Sequence, residues 1–572
     1  VFDPLAGPAT TGSPAAGQPR LPGKETGLSF LKGRVNDDNA KWFTLAAACF
    51  ALFMAMLDNL VVNVALPTIQ RDLDASTSQL QWIVSAYTLV FASLQITGGG
   101  FGDRFGRKRW FLIGLALFTA SSAMAAFVNT IEQLILARAL QGVGAALIMP
   151  LTLSLIAAAF PPAERGRALG IWGAVSVSSI ALGPVVGGAI VEYFTWHWIF
   201  LINVPIGIVA LLVSQAVVRE SRDTSGQAAI DIPGTLLITG AIASLTWALI
   251  EAGERGWSDS MILAGFALSA VLGVIFVLVE LRTENPMVPL RFFRSSTFTG
   301  ANIDAFMISF LITGVAFFMT LYQQNIHGFS AVKTGLALLP MVLTMMIVSP
   351  ISGVLINRLG PRRLISIGMT ITGVGILFLL WAGADASYWH VVPSFVTMGF
   401  GMSFIWAPMT TAVLNSVEPE KSGIASAING AIREIGTAFG VALLGTIANR
   451  VYIDKFSNDA AVSEMRNNPS LEPLHGVIDA IGDGAATAGV AVISQLPEEF
   501  KAGFGEALVV LREVSAEAFM SGMDRAVIVS GIGIIAAAAL SWFLIDDKVV
   551  LSHQTEPAEA PADVAFEVAP AD

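Results

Sequence analysis

The chain has 572 residues, of which only 13% are charged and 54% hydrophobic, with a mean hydropathy of +0.69. Those values exclude the soluble globular classes and point to repeated apolar runs long enough to span a bilayer. The formal charge of -11 resides mainly in one polar stretch and the C-terminal tail. No basic face stands outside the loops flanking the apolar runs, so nucleic acid binding has no support.

The chain opens at Val1 without a methionine, as though residues precede it. Residues 1–41 are polar and rich in Gly and Pro, which predicts a disordered tail and not a signal peptide. Fourteen spans follow, near 42–66, 80–101, 110–128, 131–156, 168–191, 198–218, 234–250, 260–280, 298–322, 335–356, 364–383, 390–414, 424–449 and 526–545. The single cysteine, Cys49, lies in the first run, so no intramolecular disulfide forms. Most lysines and arginines fall on the side of the two termini, while the short loops opposite carry only Arg71, Arg255 and Lys333. That asymmetry predicts cytoplasmic termini.

Between the second and third runs lies Gly99-Gly-Phe-Gly-Asp-Arg-Phe-Gly-Arg-Lys-Arg109. Its glycines permit close approach and left-handed backbone, and Asp103 can accept hydrogen bonds from a helix start. Arg104, Arg107, Lys108 and Arg109 belong on the cytoplasmic side. The pattern returns 254 residues on at Gly353–Arg363, with Gly99, Arg104 and Gly106 matched by Gly353, Arg358 and Gly360, and Asp103 replaced by Asn357. Ser76 and Ser330 repeat at the same offset as expected N-caps, and Gly166 and Ala168 return as Gly423 and Ala425. The expected fold is therefore an all-α polytopic membrane protein of fourteen transmembrane helices. It has two six-helix pseudo-symmetric bundles plus an inserted pair, with the substrate site between the halves. The domains expected are a 1–41 tail, a 42–218 bundle, a 219–297 inserted pair with linkers, a 298–449 C-terminal bundle completed by 526–545, and a 546–572 tail. The remaining stretch, 450–525, is expected as an extracytoplasmic insert of one or two amphipathic helices, with Phe500, Phe504, Leu508, Leu511 and Val514 on one face.

Five motifs in this order resemble the major facilitator superfamily, specifically its fourteen-helix drug:proton antiporter branch. They are Leu57-Asp-Asn-Leu-Val-Val-Asn-Val-Ala-Leu-Pro67, the Gly99–Arg109 loop, Arg138-Ala-Leu-Gln-Gly-Val-Gly144, Gly183-Pro-Val-Val-Gly-Gly188 and Trp196-His-Trp-Ile-Phe-Leu-Ile-Asn-Val-Pro-Ile-Gly207. The sequence departs from the pattern at Ser179 and His197, where glycine and arginine are usual, and in the length of 450–525. The resemblance implies a cofactor-free, proton-driven exporter of the bacterial cytoplasmic membrane, expected as a monomer. Its substrates would be amphipathic, often cationic compounds. A lipid or glycolipid exporter, and a non-transporting scaffold or sensor, stay open beside it.

Ionisable groups inside lipid mark candidate sites. Asp58 and Arg138 lie on oppositely running spans at similar depth and are expected to meet, as a fixed ion pair or as a proton-carrying switch. Asp304 is expected as an N-terminal-turn carboxylate or as a proton site facing the cavity. Arg433 and Glu434 are adjacent, point about 100° apart and so face different neighbours or the cavity. Gly183, Pro184, Gly187 and Gly188 let the fifth span pack closely, and by resemblance limit leak. Candidate substrate contacts are Met54, Trp82, Tyr87, Phe91, Trp172, Met307, Met345, Met402 and Trp406. No histidine, cysteine or nucleotide-loop pattern supports an enzyme.

Overall fold

A computed structural model describes residues 37–73, 75, 77–222, 231–283, 286, 288–418, 421–494 and 496–547. The expected N-cap Ser76 and nearly all of both expected tails lie outside them. Among the described residues, all regular structure is helical. The long helices in chain order are α1 (Asp37–Leu73), α2 (Thr77–Phe105), α3 (Arg107–Ala125), α4 (Ile131–Ala159), α5 (Pro162–Tyr193) and α6 (Asn203–Val217). Then come α7 (Ile232–Arg255), α8 (Ser260–Glu280) and α9 (Ser296–Leu321). The stretch Leu339–Leu377 is broken at Gly360 into two arms, α10 and α11. Helix α12 comes in two pieces, Val392–Ser403 and Trp406–Asn415. Helix α13 runs Ser422–Ser457 with a π-helical turn at Gly440–Leu444, and α14 runs Gly505–Leu544.

Loop polar residues start several of these helices by accepting the free first-turn N–H groups. Thr130 caps α4, Asp231 caps α7, Asp259 caps α8 and Ser295 caps α9. Ser330 does the same for the short helix Ala331–Ala337. Gly106 (φ 111°) and Gly360 (φ 76°) break the chain at equivalent points ahead of α3 and α11. Only a residue without a Cβ turns there at low cost.

Twelve helices among the described residues are long and apolar enough to cross a membrane. The expected fourteen included α3 and α5, which are present as helices but are not among the twelve. In α3 the first turn is Arg107-Lys108-Arg109, which leaves a short apolar run.

Helices α1–α6 and α9–α14 form two packed halves whose apolar cores meet, since Ala92 and Ile96 join the core of the second half and Ile356 and Ala407 that of the first. In the first half α4 is the axis, with 83% of its apolar window buried. The inserted pair α7/α8 lies outside: only 17% of the α8 window is buried, leaving Leu268, Val271 and Val274 exposed as a lipid-facing stripe. Helix α7 lies along α2 of one half and α13 of the other. Thr97 and Thr239 hydrogen-bond at 3.1 Å, and Trp257 donates to Thr446 at 2.8 Å.

The 450–525 boundaries need correction. Helix α13 continues to Ser457, and the last helix starts at Gly505, not at 526. No proline lies within 505–544 to stop a helix, so the amphipathic face and the apolar span fuse into 40 residues. Leu508 and Leu511 are buried, and Phe500, Phe504 and Val514 pack against the same core. Between the two lie short helices at Ala460–Asn467, His475–Ser494 and Glu498–Gly503.

Candidate functional site: a buried charge network and a closing face

Asp58 and Arg138 meet, as their depths predicted. The Arg138 Nη1 lies 2.5 Å from Asp58 Oδ2, and both side chains are sealed from solvent. Asp58 Oδ1 also accepts from Gln141 Nε2 at 3.1 Å and from Asn203 Nδ2 at 2.5 Å. Ser122 Oγ accepts from both amides, fixing them behind the carboxylate. Arg138 donates from Nε to the Ile83 carbonyl, and its guanidinium lies 4.5 Å from the Tyr87 ring centroid. Five helices thus converge on one charge pair: α1, α2, α3, α4 and α6. Gln141, Asn203 and Ser122 were missed in the sequence, although Gln141 and Asn203 sit inside quoted motifs as polar residues in apolar runs.

The second constellation joins the halves. Asp103, at the end of α2, accepts from the backbone N–H groups of Gly423 (3.1 Å) and Ile424 (2.8 Å) at the start of α13. Arg107 Nε donates to the same carboxylate at 2.8 Å. A carboxylate there meets both free donors and the positive end of the helix dipole. Gly99 makes the approach possible, since a Cβ there would press on the Gly423 carbonyl and on Ala427. Gly106 turns the chain, and Arg104 is half-buried at the end of α2. Lys108 Nζ donates to the Gln215 carbonyl at 2.8 Å. Glu220, after α6, accepts from the Lys108 and Arg109 amides and so caps α3. Asp547, after α14, accepts from the Arg362 amide at 3.0 Å in the equivalent place. Neither cap was read from the sequence.

Further contacts close the same face. Ser426 Oγ donates to the Pro150 carbonyl at 3.0 Å, and Arg165 Nη1 donates to Asn415 Oδ1 at 3.3 Å. Burial and the nearby Arg107 charge lower the Arg165 guanidinium pKa from its usual value. Gly166 abuts Gly353, and Gly170 abuts Ser349 and Pro350. Lys41 and Asp547, near the two ends of the described residues, lie on this face too, because Lys41 pairs with Glu164 and Asp547 caps α11.

Gly183 and Gly187 pack α5 on Leu60 and Val61 of α1, whereas Gly188 faces Val332 in the other half. The Pro184 side chain lies outside the described residues. Arg433 lies 4.7 Å over the Trp406 ring, and no ion pair among the described residues joins it to Glu434. Both are half-buried in mid-α13. Asp304 is not the first-turn carboxylate that was one of its two expectations. It sits eight residues into α9, beyond the first turn, and bonds Ser541 Oγ of α14 inside its own half.

The candidate substrate contacts separate into two groups. Met345 and Met402 cluster with Trp406 beside Arg433, and Met307 packs nearby in the same half. Tyr87 stacks on Phe91 at 5.9 Å next to Arg138, and Trp82 is half-buried on the same helix. Met54 and Trp172 are instead filled into the core of the first half. Met54 is fully buried, and Trp172 Nε1 donates to Thr152 at 3.1 Å. Tyr87 and Phe91 belong to that same core, which also takes in Ala407 and Leu414 of α12.

Residues 48–441 match the family model described as Major Facilitator Superfamily. The chain belongs to that superfamily. It is 34% identical over 519 residues to a tetracenomycin C resistance and export protein of Streptomyces glaucescens, covering 91% of this chain and 93% of the relative. It is 32% identical over 474 residues to the multidrug efflux pump LfrA of Mycolicibacterium smegmatis, covering 82% and 93%. Among solved structures, the human organic anion transporter MFSD10 gives a TM-score of 0.56 at 12% identity, covering 86% of this chain and 99% of that one. The proton:xylose symporter XylE gives 0.55 at 14%, covering 91% and 100%. These two share the fold. Superfamily membership makes the chain a membrane transporter and not an enzyme.

Proposed function

We propose that this transporter is a proton-coupled antiporter that exports amphipathic, often cationic small molecules by alternating access. The reading places it in a bacterial cytoplasmic membrane as a fourteen-helix monomer, with α3 and α5 counted as spans. The face closed by Asp103 is then cytoplasmic, in keeping with its lysines and arginines. The observation that carries the coupling is the sealed Asp58–Arg138 pair, held by Gln141 and Asn203. A charge pair this deep is weak evidence for stability, since apolar packing replaces such pairs at little cost. It is a good switch. Protonating Asp58 removes the charge that holds Arg138 and the two amides, and losing the proton restores it. Arg138 lies over Tyr87, so that change reaches the aromatic side chains beside it. The methionine and tryptophan cluster of Met345, Met402 and Trp406, with Tyr87 and Phe91 opposite, supplies adaptable apolar and aromatic walls for cations. The relatives' resistance functions supply the export direction.

The test is Asp58→Asn in everted vesicles with an imposed pH gradient. The variant keeps the hydrogen-bonding shape without the exchangeable charge, so gradient-driven efflux and substrate-induced proton release stop in a folded protein. Wild-type proton release in that variant would move the coupling to Asp304 or Glu434.

A further inference from the structure

The mechanism above leaves the buried acid Asp304 unused. Asp304 is 1% exposed and Ser541 is fully enclosed. Ser541 Oγ donates to Asp304 Oδ2 and also contacts Met369 Sδ at 3.8 Å, joining α9, α11 and α14. Asp304 Oδ1 is enclosed without a partner among the described residues.

Several charged groups of the surrounding helices are engaged elsewhere. On α13, Arg433 covers Trp406, and Glu434 is half-buried in mid-helix. On α11, Arg362 stacks over Trp542 at 4.4 Å and its amide bonds Asp547. Ahead of α9, Arg291 holds Glu418 at 2.9 Å, and past α14 the Asp546 amide bonds Thr297. No ion pair reaches Asp304 among the described residues. An ionised carboxylate with one hydroxyl donor and no counter-charge is far costlier at this site than a neutral acid with one unmet bond. The arrangement also fits poorly as helix glue, because a serine–asparagine pair would join α9 to α14 without an ionisable group.

We propose that Asp304 is a second proton carrier of the transport cycle. It holds its proton while the Asp103 face is closed and releases it to water when that face opens. Its place, eight residues from the start of α9, puts it about 12 Å from that face at 1.5 Å per residue. The cycle is carboxylic acid to carboxylate plus a proton to water, and back, with no other reactant. This rests on proton coupling through Asp58 and adds one proton per cycle to it.

Two measurements test it. In vesicles of phosphatidylethanolamine and phosphatidylglycerol, the full chain would move ethidium, a monovalent organic cation, under a pH gradient or a membrane potential imposed separately. With two carriers the exchange is electrogenic, so both gradients drive it. Asp304→Asn loses the potential-driven component and keeps the pH-driven one, because the proton-to-cation ratio falls by about one. Retention of the potential response would overturn the proposal. Infrared spectra of the unloaded protein at neutral pH give a readout that needs no transport. A protonated-carboxyl carbonyl band should be present in wild type, absent in Asp304→Asn, and shifted in Ser541→Ala, which loses the hydroxyl donor. If Asp304→Asn fails to fold, the shift in Ser541→Ala decides, and an unshifted band refutes the assignment. If wild type answers to neither gradient, the antiporter reading fails, while the infrared band still reports the proton on Asp304.

Discussion

Replacing Asp103 by asparagine tests the closing face most directly, because the change alters charge and leaves shape almost intact. The carboxylate receives the Gly423 and Ile424 amides and the Arg107 guanidinium, with Arg107 itself only 4% exposed. An asparagine offers one carbonyl oxygen for three donors and turns its own NH2 toward one of them. Losing a charge-assisted hydrogen bond costs about 1.5–3 kcal/mol, and the helix dipole adds about 0.3–1 kcal/mol. Taking about 2–3 kcal/mol together, the closed face loses about 30- to 150-fold in population against the open one. Spin labels on the exposed Arg109 and Arg363, in opposite halves, would read this as a new, longer distance. Efflux under a fixed pH gradient should fall while the purified amount stays constant. An unchanged distance distribution together with full efflux would refute the argument that the carboxylate holds this face shut.

Two further outcomes follow from the same geometry. Arg138→Ala should destabilise the protein far more than Asp58→Asn, by about 3–5 kcal/mol, because it strands a buried carboxylate; equal chemical-denaturation midpoints for the two variants would contradict that. Gly353→Leu places a side chain against the Gly166 carbonyl, so the face cannot close. Efflux should be lost in a monodisperse protein, and cysteines placed on opposite halves of this face should no longer cross-link.

What was legible in the sequence was legible for electrostatic reasons. An aspartate and an arginine in apolar runs at matching depth have to find each other, and a glycine-rich basic loop that appears twice announces a repeat. The partners that complete each site were harder to see, since neutral groups such as Asn203, Gln141 and Ser541 cost little on a helix and carry no pattern of their own. The caps Glu220 and Asp547 lie past the ends of helices that the loop itself does not touch in sequence. Their pairing with Gly106 and Gly360 appears only once the repeat is folded. Helix α14 starts well ahead of its most apolar run, because its hydrogen-bonding continues through Gly505–Leu544 where hydropathy has fallen. Asp304 was visible as a charge, but its orientation toward α14 was set by packing.

The repeat also explains why only one copy of the loop keeps its aspartate. In α13 the helix starts at Ser422, so the Gly423 and Ile424 amides belong to the first turn and lack partners within the helix. The equivalent stretch of α5 begins at Gly166, but α5 itself starts at Pro162. Glu164 and Arg165 already donate to Pro161, and the Gly166 and Arg167 amides fall beyond the first turn, where the helix uses them. The α10 arm still reaches that point, since Gly353 abuts Gly166 and Arg167. A carboxylate arriving at that point of α5 would therefore find no free donors and only a weakened dipole. Asn357→Asp should neither strengthen closure nor rescue Asp103→Asn. Efflux of the single variant should stay within about twofold of wild type, as for a substitution that makes no new bond. Restoration of the closed-face distance in the Asp103→Asn, Asn357→Asp double variant would show that the second loop keeps a working latch site, and the helix-start argument would fall.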